Sequence, residues 1–508
     1  MTAASLIKLV NSLSSPEKRY FKLYSHFQGG NKEYLLLFEL LDQKKNLDIP
    51  ALKKAFQEKA PKKSWDNTCT YLGSVLLDSL VRTKKEKDVF FDLLHQIQEV
   101  RVLKERSLDE EAFKQIKKIR QRASMLQQHW IEYYCCRFEL NYYADNNFPE
   151  LTDESLIKLQ MKGKEVLRNL NSIHDHYSLY ELLKFRLIHA GKIVSEEGKK
   201  KLNDLMLSEM VLVSGKAKSF STQKLHLLFQ SFFFTDIGDY HSAVKSFDKL
   251  NELLENNKSF LDNPPLDYLS ALTGIVDSLR MLNNDSEVSN YLDKINSLDQ
   301  PYFPEFFRYL VRKTYCIQQI VTLLHSEKLD EALTYVRDIP KDVFDNYTMV
   351  DEEKQSELYF YCSLVYFKNG DWQKAHLFIR EIMNRLKLPE QLLVSKAIRL
   401  LNIVIYYEKN EMLHLEYEIR SYKRYFAQIK LLKTEKIFFK MLTSSTANKR
   451  LRLINNDRRK ILNELEVIMK DRYEQQLLKY FDFAKWVVNI LEVKNKKIEV
   501  LKTQPETK

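Results

Sequence analysis

Three groups of residues in this 508-residue chain have types and spacing that could do chemistry. His174-Asp175-His176 offers two imidazoles and a carboxylate, the ligand types of a zinc or acid–base site. Two residues apart on a helix, the imidazoles face away from each other, and no third ligand is near in sequence. The triplet therefore reads as part of a solvated linker over 171–177. Glu110-Glu111 and Asp351-Glu352-Glu353 pair acids, but at helix starts, where negative charge offsets the macrodipole. Gly191-Lys192 and Gly215-Lys216 lack the rest of a phosphate loop, and no nucleotide-binding, nucleophile-elbow or zincin pattern occurs. The expectation is a protein without catalytic residues, cofactor or metal.

The third group is basic. Lys449, Arg450 and Arg452, then Arg458, Arg459 and Lys460, lie on helical segments near the end of the sequence. Such clusters track phosphates or meet an acidic partner, with salt-dependent affinity; they serve equally as a solvated face. Charge is unevenly spread. Residues 1–125 hold 24 basic and 16 acidic side chains and residues 419–508 hold 22 and 10, while 126–418 hold 34 and 43. Two positive ends thus flank a negative middle, within a net charge of +11.

The elements that must position these groups are helices. Ten glycines and eleven prolines are too few for α/β or β-sandwich folds, which need many turn residues. Charged residues at 29% and hydrophobic ones at 44% fit a folded protein. Cys69, Cys135, Cys136, Cys316 and Cys362 show no metal or redox spacing and sit in apolar helical contexts, the pattern of buried thiols in a reducing cytoplasm. No leader opens the chain, and no apolar run approaches ~18 residues, so a cytoplasmic location and no membrane contact are expected.

Residues 356–389 show the organising unit. Leu358, Tyr359, Cys362, Leu364, Val365 and Tyr366 form a broad apolar helix surface. Asn369-Gly370-Asp371 stops that helix, Gly370 taking a positive φ and Asp371 capping the next. Ala375, Ile379, Ile382 and Met383 continue at spacings of four and three. A second copy runs through Leu227, Ser231, Phe234, Gly238-Asp239-Tyr240, Ala243, Phe247 and Leu250. A third, Tyr315 to Pro340, has Glu327 where the turn glycine stands and is expected to turn more loosely. Ala271–Leu298 and Ala397–Phe426 could each supply a further helix pair without the signature.

These two in-register copies resemble tetratricopeptide (TPR) repeats. The resemblance implies an all-α, TPR-like α-solenoid of antiparallel helix pairs over 221–429, because a lone pair cannot cover its own apolar face. It also implies that the inner face of each first helix lines a ligand groove: Phe360, Leu364, Phe367 and Lys368 in one repeat, Leu228, Phe232 and Asp236 in the other. The Lys and Asn of a carboxylate-reading clamp are absent, so an open groove would be apolar and suit an amphipathic helix. The same residues could instead be core, covered by a neighbouring turn or by the carboxy-terminal helices.

Residues 1–105 read as an N-terminal helical module and 106–220 as divergent helical repeats. In the first, Asp48 to Val81 is close to a helix-turn-helix, although Ser64–Leu80 is too apolar for an exposed recognition helix. Residues 430–508 read as a basic carboxy-terminal cap. There Leu477, Phe481, Ala484, Val488 and Leu491 form a stripe that would seal the last repeat or form a coiled coil. Removal of the chain beyond Ala427 is expected to leave helical content per residue unchanged. The function these features point to is a protein–protein interaction scaffold for an unidentified protein or peptide. The alternative is a nucleic-acid-associated regulator, with the N-terminal module on nucleic acid and the repeats as sensor.

Overall fold

The computed structural model describes residues 1–27, 33–43, 48–85, 88–149, 151–189, 196–213, 219–345, 352–385, 388, 390, 392–429, 431–446, 455–469, 471 and 474–490. Among these the regular structure is helical, with no β-strand.

The first five helices are α1 (Ala3–Ser12), α2 (Ser15–Phe27), α3 (Glu33–Gln43), α4 (Ile49–Lys59) and α5 (Trp65–Lys85). Their caps follow from local chemistry. Ser14 and Glu17 form a capping box at the start of α2, the Ser14 amide donating to Glu17 Oε2 at 2.8 Å. Asp48 accepts from the Ile49 amide, and Ser64 from the Asn67 amide. Leu37, Phe38, Leu52, Phe56, Trp65, Leu72 and Leu76 close one core among them.

Next come α6 (Val89–Glu105), α7 (Asp109–Met125), α8 (His129–Asp145), α9 (Asp153–His189) and α10 (Glu196–Val213). Between α6 and α7 the chain turns at Ser107, which takes φ 58. One expectation changes here. The linker read over 171–177 is instead the middle of the 37-residue α9. Val166, His176, Tyr180 and Leu183 form a buried stripe at helical spacing, and this packing outweighs the weak helix preference of Asn171 and Ser172.

Five helix pairs follow: α11 (Phe220–Asp236) with α12 (Tyr240–Asn256), α13 (Leu266–Met281) with α14 (Asp285–Asn296), α15 (Glu305–His325) with α16 (Leu329–Asp338), then, after the short α17 (Lys341–Asp345), α18 (Glu352–Lys368) with α19 (Trp372–Arg385), and α20 (Leu393–Glu408) with α21 (Met412–Tyr425). Partners within each pair touch, and so do the first helices of successive pairs, α11 with α13, α13 with α15, α15 with α18 and α18 with α20.

One turn is repeated in all five pairs. Gly238, Asn283, Glu327, Gly370 and Asn410 all have φ between 56 and 79°. The residue after each donates its amide five residues back: Asp239 to Phe234, Asn284 to Leu279, Lys328 to Leu323, Asp371 to Tyr366 and Glu411 to Tyr406, at 2.9–3.0 Å. That is the Schellman closure of a helix end. The Glu327 turn is therefore no looser than its glycine counterparts, contrary to expectation. Its hydrogen bonds hold a non-glycine residue in the left-handed region.

The chain ends its described part with α22 (Lys433–Thr446), α23 (Asn455–Met469), α24 (Gln475–Leu478) and a helical stretch over residues 483–490. Leu432, Phe438, Leu442, Ile461, Leu465, Leu477, Phe483, Ala484 and Val487 belong to the same core as α18, α20 and α21. The carboxy-terminal helices are thus built into the repeats rather than appended to them.

Candidate functional site

The residues picked out as groove lining lie in two separate cores. On α18, Phe360 is fully buried, Leu364 nearly so, and Phe367 half-buried. Every residue of α18 from Leu358 to Tyr366 is buried, the signature of a helix covered on all sides. The cover is the carboxy-terminal segment. Tyr480 stands edge-on over Phe360 at 6.0 Å and stacks beside Tyr361 at 6.4 Å, and Phe481 meets Phe367 edge-on at 5.8 Å. Lys368 is exposed at the end of α18. Partial desolvation by the surrounding protein, then the nearby Lys485 charge, holds its pKa below the ordinary lysine value against Glu327 and Asp482. On α11, Leu228 is buried, while Phe232 lies between Tyr180 of α9 and Phe247 of α12. Asp236 closes that helix, partly exposed.

Buried polar anchors hold the cover in place. The Lys396 ammonium on α20 donates to Glu435 Oε2 at 2.8 Å, and the Tyr422 hydroxyl donates to Oε1 of the same carboxylate. The Leu432 amide also donates to Glu435, and all three side chains are essentially sealed from water. Glu474 accepts from the amides of Lys433 and Thr434 and from the Thr434 hydroxyl, capping α22. Trp486 donates its indole N–H to Glu408 at 2.9 Å and packs on Tyr407 and Phe438.

Of the basic cluster, Lys460 is exposed on α23, and Arg458 and Arg459 fall in the first turn of that helix. Lys449, Arg450 and Arg452 lie outside the described residues. Glu110 and Glu111 are exposed in the first turn of α7, and Glu352 and Glu353 lie in the first turn of α18; Asp351 is outside the described residues. His176 Nδ1–H donates to the Ser172 carbonyl within its own helix, and His174 is exposed. In the N-terminal module, Trp65, Cys69, Leu72 and Leu76 turn one side of α5 into core, leaving Tyr71, Leu77 and Val81 outside. Among the described residues, no group of three His, Cys, Asp or Glu is placed to hold a metal ion.

A site not foreseen from sequence lies where α13, α15 and α18 meet the carboxy-terminal segment. Asp277 Oδ1 accepts from Arg280 Nη2 at 2.6 Å and from Gln318 Nε2 at 3.1 Å, and Arg280 Nη2 also donates to Gln318 Oε1. The Arg280 side chain is only 5% exposed, whereas Asp277 keeps 48%. Lys354 pairs with Glu357 at 2.9 Å beside them. Burial pushes the Asp277 carboxyl up, but Arg280, Lys479 and Lys354 outweigh it and hold the carboxyl below the ordinary range. The phenols of Tyr361 and Tyr480 are pushed up, by burial first and then by Glu357 and Asp277. Asp277 is thus half-exposed within a cluster of mixed charge. The one sequence signal for it was Arg280 itself, a charge in step with the apolar Leu272, Val276 and Leu279.

No protein-family model and no curated protein sequence matches this chain.

Proposed function

We propose that the chain is a non-catalytic scaffold, a TPR-like α-solenoid of antiparallel helix pairs that presents a helical-repeat surface to a protein or peptide partner. Recurrence of one turn geometry in five successive pairs, with first helix touching first helix, supports the solenoid reading. The observation that carries the binding reading is a cluster of charged and polar side chains, Asp277, Arg280, Gln318, Lys354 and Glu357, on three successive first helices, with Asp277 48% exposed. Convergent polar groups that fix orientation are one requirement of a recognition site.

The nucleic-acid alternative has less support, because α5 has one side committed to its module's core. The exposed Lys460 leaves an acidic partner as the chemistry for the basic carboxy-terminal helices. Five buried, unpaired thiols suit a reducing cytoplasm. Among the described residues no helix is long and apolar enough to cross a membrane.

Cross-linking with mass spectrometry in the native cell tests the reading. The expected result is a stoichiometric protein or peptide partner linked through Lys354, Lys368 or Lys479. Links spread evenly over surface lysines, with no enriched partner, would contradict it.

A further inference from the structure

The helix α10 is lightly held. Among its described residues the buried apolar side chains are Leu202 and Leu205, whereas α11 buries Leu225, Leu228, Phe229 and Phe233 in the same core. On the other side of α10, Leu207, Met210 and Val211 are exposed. Two polar contacts tie it to its neighbours: the Arg186 guanidinium on α9 donates to the Lys201 carbonyl, and His226 Nδ1 on α11 donates to Glu209 Oε1. The second contact is incomplete. The Glu209 side chain is 1% exposed, yet its Oε2 has no hydrogen-bond partner. A buried carboxylate oxygen left unmet opposes docking of the helix that carries it, and two leucines offset that only in part. The helices beneath, α9 and α11, also pack on each other, so their seam does not depend on α10.

We propose that α10 is a detachable strap. It lifts off the seam around Arg186 and His226 while α9 and α11 stay folded, and an amphipathic helix of a partner protein takes its place. The strap itself is the template for that occupant. Its buried positions are Leu202, Leu205 and Glu209, spaced by three and four, the pattern of a helix laid in an apolar groove. A partner helix with an apolar side chain in the place of Glu209 fills the seam without burying an unmet carboxylate, and so displaces α10. This extends the scaffold reading, on which it rests, with a docking site on different helices from the Asp277 cluster.

Native-state amide exchange of the full chain tests the strap. Residues 202–212 should exchange through an opening about tenfold or more as populated as the one that frees 225–233 of α11. Glu209→Leu should raise the protection of 202–212 by about tenfold, the worth of the unmet group, and leave 225–233 unchanged. Equal protection of α10 and α11 in the unaltered chain, or lower protection of α10 in the variant, would overturn the proposal. A fluorescent synthetic copy of α10 carrying Glu209→Leu, added to the unaltered full chain, tests the seam. It should bind saturably and speed exchange of residues 202–212; no binding, or binding that leaves them protected, would overturn the docking site. Failure of either arm sinks this proposal alone. The scaffold reading falls only if the in-cell cross-links also find no enriched partner.

Discussion

The ring of Tyr480 meets the ring of Phe360 edge-on, with 6.0 Å between centroids and 87° between planes. An edge-to-face pair of buried rings adds to the free energy of burial itself, and here it joins residues 120 positions apart. The Phe360 side of α18 is therefore covered from within the chain.

Tyr480→Ala should destabilise the protein by about 3–5 kcal/mol, as loss of a buried aromatic ring usually does. Truncation after Ala427 should expose Phe360, Leu364 and Leu401 and lower helical content, against the sequence-based expectation that the tail is removable. Urea unfolding of the variant and circular dichroism of the truncated chain check this. A cost under about 1 kcal/mol, or unchanged helicity per residue, would count against the packing described.

The Lys396–Glu435 pair gives a second prediction. Glu435→Gln leaves a buried ammonium without its counter-charge and should cost about 3–5 kcal/mol. Replacing both partners, Lys396→Met with Glu435→Gln, should recover much of that loss, because no unpaired ammonium remains and the Gln carbonyl can still accept from Tyr422 and Leu432. A double-mutant cycle in urea measures the coupling. Purely additive losses would mean that the two groups do not act as a pair.

Glycines supply a contrasting set. A Cβ on Gly274 would stand 2.2 Å from Cζ of the buried Phe247, so Gly274→Ala should destabilise by about 1–3 kcal/mol despite its better helix propensity. Gly163 has nothing within 4 Å of the same position, and Gly163→Ala should stabilise by up to about 1 kcal/mol. Glu327→Gly should also stabilise, by about 1 kcal/mol, since φ 57 suits glycine. Melting temperatures should order these variants with Gly274→Ala lowest; any other order contradicts the contact.

The thiols predict the alkaline limb of stability. Burial, then Asp66, pushes Cys69 up to about 11, and burial, then Glu139, pushes Cys135 up to about 12. Unfolded thiols ionise near 8.5. The unfolded chain loses protons first, so stability should be level below about pH 8.5 and fall as pH rises toward 11–12. Asp92 sets the opposite sign at the acid end. Burial opposes its ionisation, but its hydrogen bond to Arg122 prevails and lowers its pKa, so that contribution is lost as pH falls below about 4. Melting temperature against pH reads both limbs. In the native state none of the five thiols should react with a disulfide reagent until unfolding, and prompt labelling of one would refute its burial.

The helix pairs were legible wherever glycine marks the turn, as at Gly238 and Gly370. Asn283 and Asn410 hold the same left-handed conformation, but an asparagine in a polar turn is a weaker signal than glycine. The length of α9 was hidden because packing along Val166–Leu183 overrides local preference at Asn171 and Ser172. The cover over Phe360 was illegible in detail. Nothing local in Tyr480-Phe481 tells a ring that seals a distant helix from one that seals its own neighbour. Asp277 and Arg280 were missed for the same reason: their partner Gln318 is some forty residues away in sequence.

Amide hydrogen exchange of the full chain tests most directly whether the carboxy-terminal segment is part of the repeat core. Residues 477–490 should exchange in the same cooperative opening as 356–366 on α18 and 394–405 on α20, with closely similar protection. Exchange of 477–490 faster than those two stretches by orders of magnitude would show that this segment opens independently of α18 and α20, and would contradict the account.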